Sequence, residues 1–237
     1  MSFGNRLNEF YSSLSGGGEN FPPILLPPEV ETLNPYNNPE TMRCVETFCA
    51  RYYAGEAPRL SVWGINPGRF GGGLTGLSFT DPVILREECA IPNALGARRE
   101  LSAEFVWSVI RLYGGAQKFF SEIFLTAMCP LGFARRTAKG GVVNYNFYDD
   151  ANLTRASRPF ILATMARQQA LGLRRGAAIC LGSGKLYRAF EEANNELGLF
   201  ERVLPLEHPR FIMQYRRSEL EAYRQKYCET LRGALGA

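Results

Sequence analysis

The chain has 237 residues and a net charge of +4, and 46% of its residues are hydrophobic, which excludes a disordered chain and supplies one sizeable core. No apolar run approaches the roughly 20 residues of a membrane span, and the N-terminus lacks a secretory signal, so we expect a cytoplasmic protein without a membrane partner. Six scattered cysteines, no C-x-x-C pair and a single histidine give no zinc or iron–sulfur pattern. At this length we predict one domain over 1–237.

Apolar residues at helical spacing predict several helices along the chain. The first, over 2–14, is followed by an irregular N-terminal arm that ends near residue 40 and is rich in proline and asparagine. Ser157 and Pro159 are typical of a helix start, so a helix is predicted to begin there. The remaining predicted helices cover 39–53, 101–113, 157–171 and about 217–233, and one more follows the stretch 182–185 and runs through Phe190.

Four short apolar runs predict strands, the first two of them buried, and they alternate with the helices. This alternation favours a parallel sheet that is covered by helices on both faces. The basic, polar stretch 133–152 is predicted as a long excursion from the fold with a functional role. The predicted strands cover 60–65, 123–128, 177–181 and, more weakly, 203–206.

Positive charge is concentrated in two separate segments of the chain. Residues 133–175 carry 8 basic and 2 acidic side chains, and residues 202–237 carry 7 basic and 4 acidic ones, whereas residues 1–60 carry 4 basic and 7 acidic ones. The two basic segments can converge on one face and bind a polyanion. A solvated surface with arginines near helix C-termini explains the same charges equally well.

Neither of the two glycine-rich stretches matches a known phosphate-binding motif. The loop from Gly64 to Gly76 holds six glycines, but Asn66-Pro67 breaks the G-x-G-x-x-G pattern of dinucleotide sites. The stretch 182–185, G-S-G-K, lacks the first glycine of a P-loop and the Ser or Thr after the lysine. The N-terminus of the helix predicted after it can still hold a single phosphate.

Asn66 and His208 each follow a predicted strand, and parallel strands place their carboxyl ends at one edge of the sheet, where ligands bind. Here the sequence resembles the uracil-DNA glycosylase superfamily. The resemblance is closest to the single-strand-selective monofunctional branch, and within it to the second, bacterial-type subgroup. It is carried by G-I-N-P-G-R-F-G, T-G-L-S-F, M-C-P-L-G-F and H-P-R, and it covers about residues 55–230.

The resemblance implies a three-layer α/β/α sandwich with a central four-stranded parallel sheet. It implies a monofunctional DNA glycosylase of base excision repair, which needs no cofactor or metal and flips a damaged base out of the helix to excise it hydrolytically. The implied partner is single- or double-stranded DNA that contains a damaged base. The protein is expected to act as a monomer in the bacterial cytosol.

The resemblance also assigns roles to individual residues. Asn66 would position and polarise the attacking water, and His208 would donate a hydrogen bond to the base oxygen that gains negative charge. Phe79 would stack on the extruded base, in a pocket completed by Gly64, Ile65, Gly68 and Phe70. The residues expected to contact DNA are Pro67, Ser183, Gly184, Lys185, Pro209, Arg210 and Phe211.

One position departs from the pattern of this branch. Ala127 stands where better-known members carry a base-reading asparagine, so the preferred lesion stays open between uracil, 5-substituted uracil and xanthine. Asn144 and Asn146 are the candidate replacements. Gly68 implies a roomier pocket than that of stricter superfamily members.

The residue that fills the gap left by the flipped base is also open. Arg210, Phe211 and Ile212 are the candidates, because apolar wedges do this in other proteins. For Phe211 and Ile212 the alternative is that they belong to the core side of a following helix.

Two other functions stay open at this point. A non-catalytic nucleic-acid-binding protein on the same fold would explain the loss of the contact at Ala127, although such a protein has no need of both Asn66 and His208. The hypothesis of a phosphate-binding nucleotide enzyme depends only on the stretch 182–185.

Overall fold

The structure is a computed structural model that describes residues 1–17 and 20–236. Its strands are β1 (Val30–Leu33), β2 (Arg59–Gly64), β3 (Ile123–Ala127), β4 (Gly132–Arg136), β5 (Val142–Tyr145), β6 (Leu173–Leu181) and β7 (Val203–Leu206). Its α-helices are α1 (Phe3–Ser12), α2 (Pro39–Tyr52), α3 (Gly72–Thr75), α4 (Pro82–Glu87), α5 (Leu101–Tyr113), α6 (Ala116–Glu122), α7 (Ala151–Gln169), α8 (Lys185–Leu197), α9 (Pro209–Tyr215) and α10 (Leu220–Leu235). Short 3₁₀ turns lie at Ser15–Gly17, Pro35–Asn37 and Arg217–Glu219.

The central sheet consists, in the described part of the chain, of four parallel strands in the order β3-β2-β6-β7. Val62 on β2 lies opposite Leu125 on β3 and Ile179 on β6. Every residue of β2 and β3 is buried, as expected for parallel strands that are covered by helices on both faces. The predicted α/β/α sandwich with a four-stranded parallel sheet is therefore confirmed, and all four predicted strands exist.

The basic stretch 133–152 differs from its prediction as an excursion. It contains the antiparallel hairpin β4–β5, which joins β1 in a second sheet of order β1-β4-β5. Both Val143 and Asn144 on β5 are exposed, so no apolar alternation marks this strand in the sequence. The N-terminal arm likewise contains β1 and a 3₁₀ turn, so it is not irregular throughout; residues 18 and 19 of the arm lie outside the described residues.

Most predicted helices are confirmed to within a few residues, but α7 begins six residues before the predicted start at residue 157. Asp150 caps it, because its Oδ1 accepts hydrogen bonds from the backbone N–H groups of Asn152 (2.9 Å) and Leu153 (3.0 Å). Ser157 instead lies inside the helix and donates to the carbonyl oxygen of Leu153 at 2.7 Å. The prediction failed because a cap with two hydrogen bonds defines the start of a helix better than a proline, which here lies within it.

The glycine-rich loop after β2 is held by residues from the N-terminal part of the chain. The hydroxyl group of Tyr36 donates to the carbonyl oxygen of Gly76 at 3.0 Å, and that of Thr41 donates to Leu74 at 2.7 Å. Gly76 has a φ of 71°, which favours glycine, and a Cβ there would lie 2.9 Å from the Tyr36 ring. These contacts place the loop at the carboxyl edge of the sheet.

None of the helices among residues 1–17 and 20–236 has the length and apolar character that crossing a bilayer requires. All six cysteines are buried and free of disulfides.

Candidate active site

A cleft of about 730 Å³ opens at the carboxyl ends of the parallel strands. The chain passes from β2 to β3 on one side and later returns to β6 on the other side of β2, and such a switch in direction is where open α/β sheets bind ligands. The cleft brings together most of the site residues predicted from the sequence, namely Gly64, Ile65, Asn66, Pro67, Gly68, Phe70, Phe79, His208, Arg210 and Phe211.

The other predicted contacts lie elsewhere. Pro209 is buried in the first turn of α9 and does not line the cleft. Ser183, Gly184 and Lys185 line an adjoining cavity of about 330 Å³, whose wall includes His208. The predicted groups therefore form a cleft and a neighbouring cavity that share a wall.

The carboxamide of Asn66 is held on both sides by backbone groups at the end of β5 and just after it. Its Nδ2 donates to the carbonyl oxygen of Tyr145 at 3.1 Å, and its Oδ1 accepts from the N–H of Phe147 at 3.2 Å. These two bonds define which end of the amide is oxygen, and they leave one N–H and one lone pair for a ligand. The sequence gives no sign of this contact, because it is made by backbone groups 79 and 81 residues away.

His208 precedes α9 and acts as its N-cap, because its Nδ1 accepts a hydrogen bond from the backbone N–H of Arg210 at 3.1 Å. A neutral imidazole that accepts at Nδ1 carries its proton at Nε2. Burial, and then the nearby Arg210 charge, lower the pKa of His208 to about 4. At neutral pH the residue is therefore an uncharged donor through Nε2.

Phe79 packs directly against the end of β2. A Cβ at Gly64 would lie only 2.8 Å from Cζ of the Phe79 ring, so residue 64 has to be glycine for the ring to sit there. Phe79 itself has a φ of 54°, an uncommon conformation for an aromatic residue. Strained backbone of this kind is often found at functional sites, where surrounding structure holds it in place.

Glu100 also lines the cleft, and no motif in the sequence indicates a role for it. Its carboxyl group packs on the glycine loop: a Cβ at Gly68 would lie 2.7 Å from Oε1, and one at Gly71 would overlap Oε2. Burial, and then the nearby Asp81 charge, raise the pKa of Glu100 to about 7, and Arg210 opposes the shift. In the sequence, Glu100 is only the residue that precedes a predicted helix. That position indicates a helix N-cap and no function in a site.

The position of Ala127 confirms that β3 presents only a methyl group to the cleft. Both candidate replacements, Asn144 and Asn146, line the cleft. The Oδ1 of Asn144 accepts from the backbone N–H of Arg69 at 3.2 Å. The structure thus brings these amides to the cleft from the second sheet, and their role in reading a base stays a prediction.

The rim of the cleft is aromatic and basic. Phe211 is 41% exposed and Tyr215 is 69% exposed, and their ring centroids lie 5.5 Å apart on α9. Arg69 and Arg98 lie over the Phe70 ring at 4.5 and 4.6 Å. Arg210 is also exposed at this rim.

Two of the three wedge candidates remain at the surface. Ile212 is fully buried, so the alternative that it belongs to the core side of a helix is correct. Phe211 and Arg210 are exposed beside the cleft and remain candidates. Within the described ranges, no group of three or more His, Cys, Asp or Glu residues could hold a metal ion.

Comparison with known proteins relates this geometry to a family. The model of the uracil DNA glycosylase superfamily matches residues 51–232. The crystal structure of wild-type SMUG2 from Pedobacter heparinus is 36% identical, covers 100% of both chains and superposes with a TM-score of 0.93. No curated protein matches the chain. Because the family model spans most of the chain and the SMUG2 structure matches all of it, this chain belongs to the uracil DNA glycosylase superfamily, in the branch to which SMUG2 belongs.

Proposed function

We propose that this protein is a monofunctional DNA glycosylase, which hydrolyses the N-glycosidic bond of uracil or a related deaminated base in base excision repair. Membership of the superfamily supports a glycosylase. The observation that carries the proposal for this chain is the pairing, in one cleft, of a carboxamide held at both ends, Asn66, with a neutral imidazole donor, His208.

The bond to be broken lies inside the base stack, so the nucleotide has to be flipped into the cleft before reaction. The volume of about 730 Å³ accommodates a base together with its sugar. Phe79 supplies a ring face for stacking on the extruded base. Phe211 or Arg210 at the rim would occupy the space that the base leaves in the duplex.

Asn66 would orient the attacking water through the N–H and lone pair that its two backbone contacts leave free. An amide is too weak a base to take the water's proton early, so its contribution is orientation. Orientation is sufficient when the bond to the base is already largely broken in the transition state. Because Tyr145 and Phe147 hold the carboxamide, little reorganisation is needed when substrate arrives.

His208 would donate from Nε2 to the base oxygen that becomes negative as the bond breaks. A neutral imidazole can stabilise this charge by a hydrogen bond without transferring its proton. The low pKa of about 4 keeps it in this form throughout the neutral range. No covalent step on the protein is required, which is why the proposal is monofunctional.

Contact with the DNA strand would extend from the cleft to the adjoining cavity. Ser183 and Gly184 lead into α8, which begins at Lys185, and the backbone N–H groups of a first helical turn have no helical partner and can bind a phosphate. Because this cavity shares the wall at His208 with the cleft, one strand can reach both. We propose DNA as the partner and a monomer as the active form.

A panel of oligonucleotides tests the proposal, each with one uracil, 5-substituted uracil, xanthine or undamaged base, followed by alkaline cleavage of abasic sites. We expect uracil release, unchanged by EDTA, and no covalent adduct on borohydride treatment. A borohydride-trapped adduct would exclude the monofunctional mechanism. Binding to the oligonucleotides without release of any base would favour the non-catalytic nucleic-acid-binding protein.

A further inference from the structure

Glu100 presents a carboxyl group to the cleft without a protein partner. No described residue donates a hydrogen bond to either carboxyl oxygen, and none forms an ion pair with it within 4 Å, although its own backbone N–H donates to Oδ2 of Asp81 at 2.9 Å. Glu100 is half-buried, and an unpaired carboxyl group that lines a ligand cleft is available to a ligand.

The carboxyl group of Glu100 lies against the glycine-rich loop that carries Asn66. Both Oε1 of Glu100 (2.7 Å) and Nδ2 of Asn144 (3.4 Å) lie close to the point where a Cβ of Gly68 would be. Gly68 lies two residues after Asn66 on the same loop. The carboxyl group and the Asn144 carboxamide therefore converge on one side of the cleft, next to the residue proposed to orient the water.

The charged groups that face Glu100 explain how it can act as both donor and acceptor. Asp81, the N-cap of α4, is a second carboxylate, and Arg210 on α9 is a cation that opposes it. Burial, and then the Asp81 charge, raise the pKa of Glu100 to about 7 while Arg210 opposes the shift, so the protonated form is well populated at neutral pH. A protonated carboxyl group offers one O–H donor and one carbonyl acceptor, the same pair that a carboxamide offers.

Deamination of a nucleobase creates an acceptor and a donor that are complementary to the donor and the acceptor of a protonated carboxyl group. It replaces an amino group and an unprotonated ring nitrogen by a carbonyl oxygen beside an N–H. Ala127, on the neighbouring strand, can form no hydrogen bond of this kind through its side chain.

We propose that Glu100 is a specificity-determining residue, which reads the extruded base by accepting a hydrogen bond from a ring N–H and donating one to the adjacent carbonyl oxygen. The inference rests on the proposed glycosylase function and names the group that recognises the substrate. It applies to deaminated bases as a class, because all of them share the N–H next to a carbonyl.

Single-turnover release of uracil by wild type, Glu100→Ala, Glu100→Gln and Glu104→Gln tests the role. Glu104 is exposed one turn along α5, so Glu104→Gln makes the same substitution away from the cleft and serves as the control. We expect Glu100→Ala to slow release by about 10- to 100-fold, the scale of one lost pair of hydrogen bonds. Glu100→Gln should restore most of the rate, and Glu104→Gln should match wild type.

A second readout separates reading of the base from support of the loop. An oligonucleotide with a tetrahydrofuran abasic analogue has no base, so all four proteins should bind it with the same Kd. The melting temperature of Glu100→Gln should equal or exceed that of wild type, because an unpaired carboxyl group beside Asp81 is removed. The wild-type rate should fall as the pH rises above 7, and the rate of Glu100→Gln should not.

Different outcomes contradict different claims. If wild type releases uracil and Glu100→Ala releases it equally fast, the role of Glu100 is wrong and the proposed function stands. If Glu100→Ala loses affinity for the abasic analogue as much as it loses rate, Glu100 supports the loop and does not read the base. If wild type releases no base from any lesion, the proposed function itself fails.

Discussion

The backbone N–H of Arg210 donates to Nδ1 of His208 at 3.1 Å, so the same contact that caps α9 also determines the tautomer of the imidazole. The proton is left on Nε2, where it is available to a ligand in the cleft. An N-cap is usually Ser, Thr, Asp or Asn, and histidine is an unusual choice for that role alone. The choice is explained if Nε2 has a function of its own.

Replacing His208 should slow base release strongly. His208→Asn keeps an N-cap acceptor for Arg210 but removes the longer donor, so we expect a near-normal melting temperature and a rate lower by about 10²–10³. The loss should be smaller on 5-fluorouracil, a better leaving group that needs less stabilisation. Single-turnover rates on both bases measure it. Equal losses on the two bases would refute stabilisation of the leaving base by His208.

Adding one methyl group at Gly64 should displace the Phe79 ring. The new Cβ would lie 2.8 Å from Cζ of Phe79, a distance that forces the ring to move. Gly64→Ala should therefore raise KM for uracil-containing DNA more than it changes the melting temperature. Gly176→Ala is the matched control, because nothing lies within 4 Å of its Cβ position on β6. Normal kinetics of Gly64→Ala would exclude Phe79 as the stacking surface.

The two titratable groups of the cleft should give opposite dependences of stability on pH. Between 4.5 and about 7 the folded Glu100 keeps a proton that the unfolded chain releases, so its contribution to the free energy of unfolding falls as pH rises. Glu100→Gln should thus gain about 1–3 kcal/mol relative to wild type between pH 4.5 and 8.

For His208 the unfolded chain binds a proton at 6.5 and the folded chain only near 4, so its contribution rises with pH across that interval. His208→Asn should lose this dependence. Urea unfolding of wild type and both variants at pH 4.5, 6.5 and 8 measures the differences. Differences that stay constant with pH would contradict both assignments.

Arg210 should contribute to binding of the DNA backbone at the rim. Arg210→Ala should weaken binding of all oligonucleotides alike and reduce the slope of log K against log salt by about 0.7–0.9, the value for one phosphate contact. Arg202→Ala is the control. Arg202 is exposed just before β7, at the amino ends of the parallel strands, whereas the cleft lies at their carboxyl ends. An unchanged slope in Arg210→Ala would remove this residue from the DNA contact.

The sequence predicts the carboxyl edge of the sheet well and the surroundings of the site poorly. Asn66 follows the buried strand β2 and His208 follows the partly buried strand β7, and both predicted strands are present in the fold. The two hydrogen bonds that hold Asn66 cannot be predicted from the sequence. They are made by the carbonyl of Tyr145, at the end of β5, and by the N–H of Phe147 just after it, and β5 shows no apolar alternation. Such contacts depend on tertiary packing alone.

Glu100 was missed for a related reason. Its raised pKa results from burial and from Asp81, a residue 19 positions earlier that the fold brings close. The spacing of these two residues along the chain does not predict that they lie close together. For Ile212 the sequence was sufficient. Its apolar side chain predicted either a wedge residue or the core side of a helix, and the structure buries it in the core.

Single-turnover release of uracil from a uracil-containing oligonucleotide, by wild type and Asn66→Ala in the presence of EDTA, tests most directly whether Asn66 promotes hydrolysis. Removing the carboxamide leaves the carbonyl of Tyr145 and the N–H of Phe147 without that partner, at a cost of about 1–3 kcal/mol in stability. We predict that both proteins bind the oligonucleotide with similar Kd and that Asn66→Ala releases uracil at least about 10²-fold more slowly. Equal rates for the two proteins would contradict the role of Asn66 in hydrolysis.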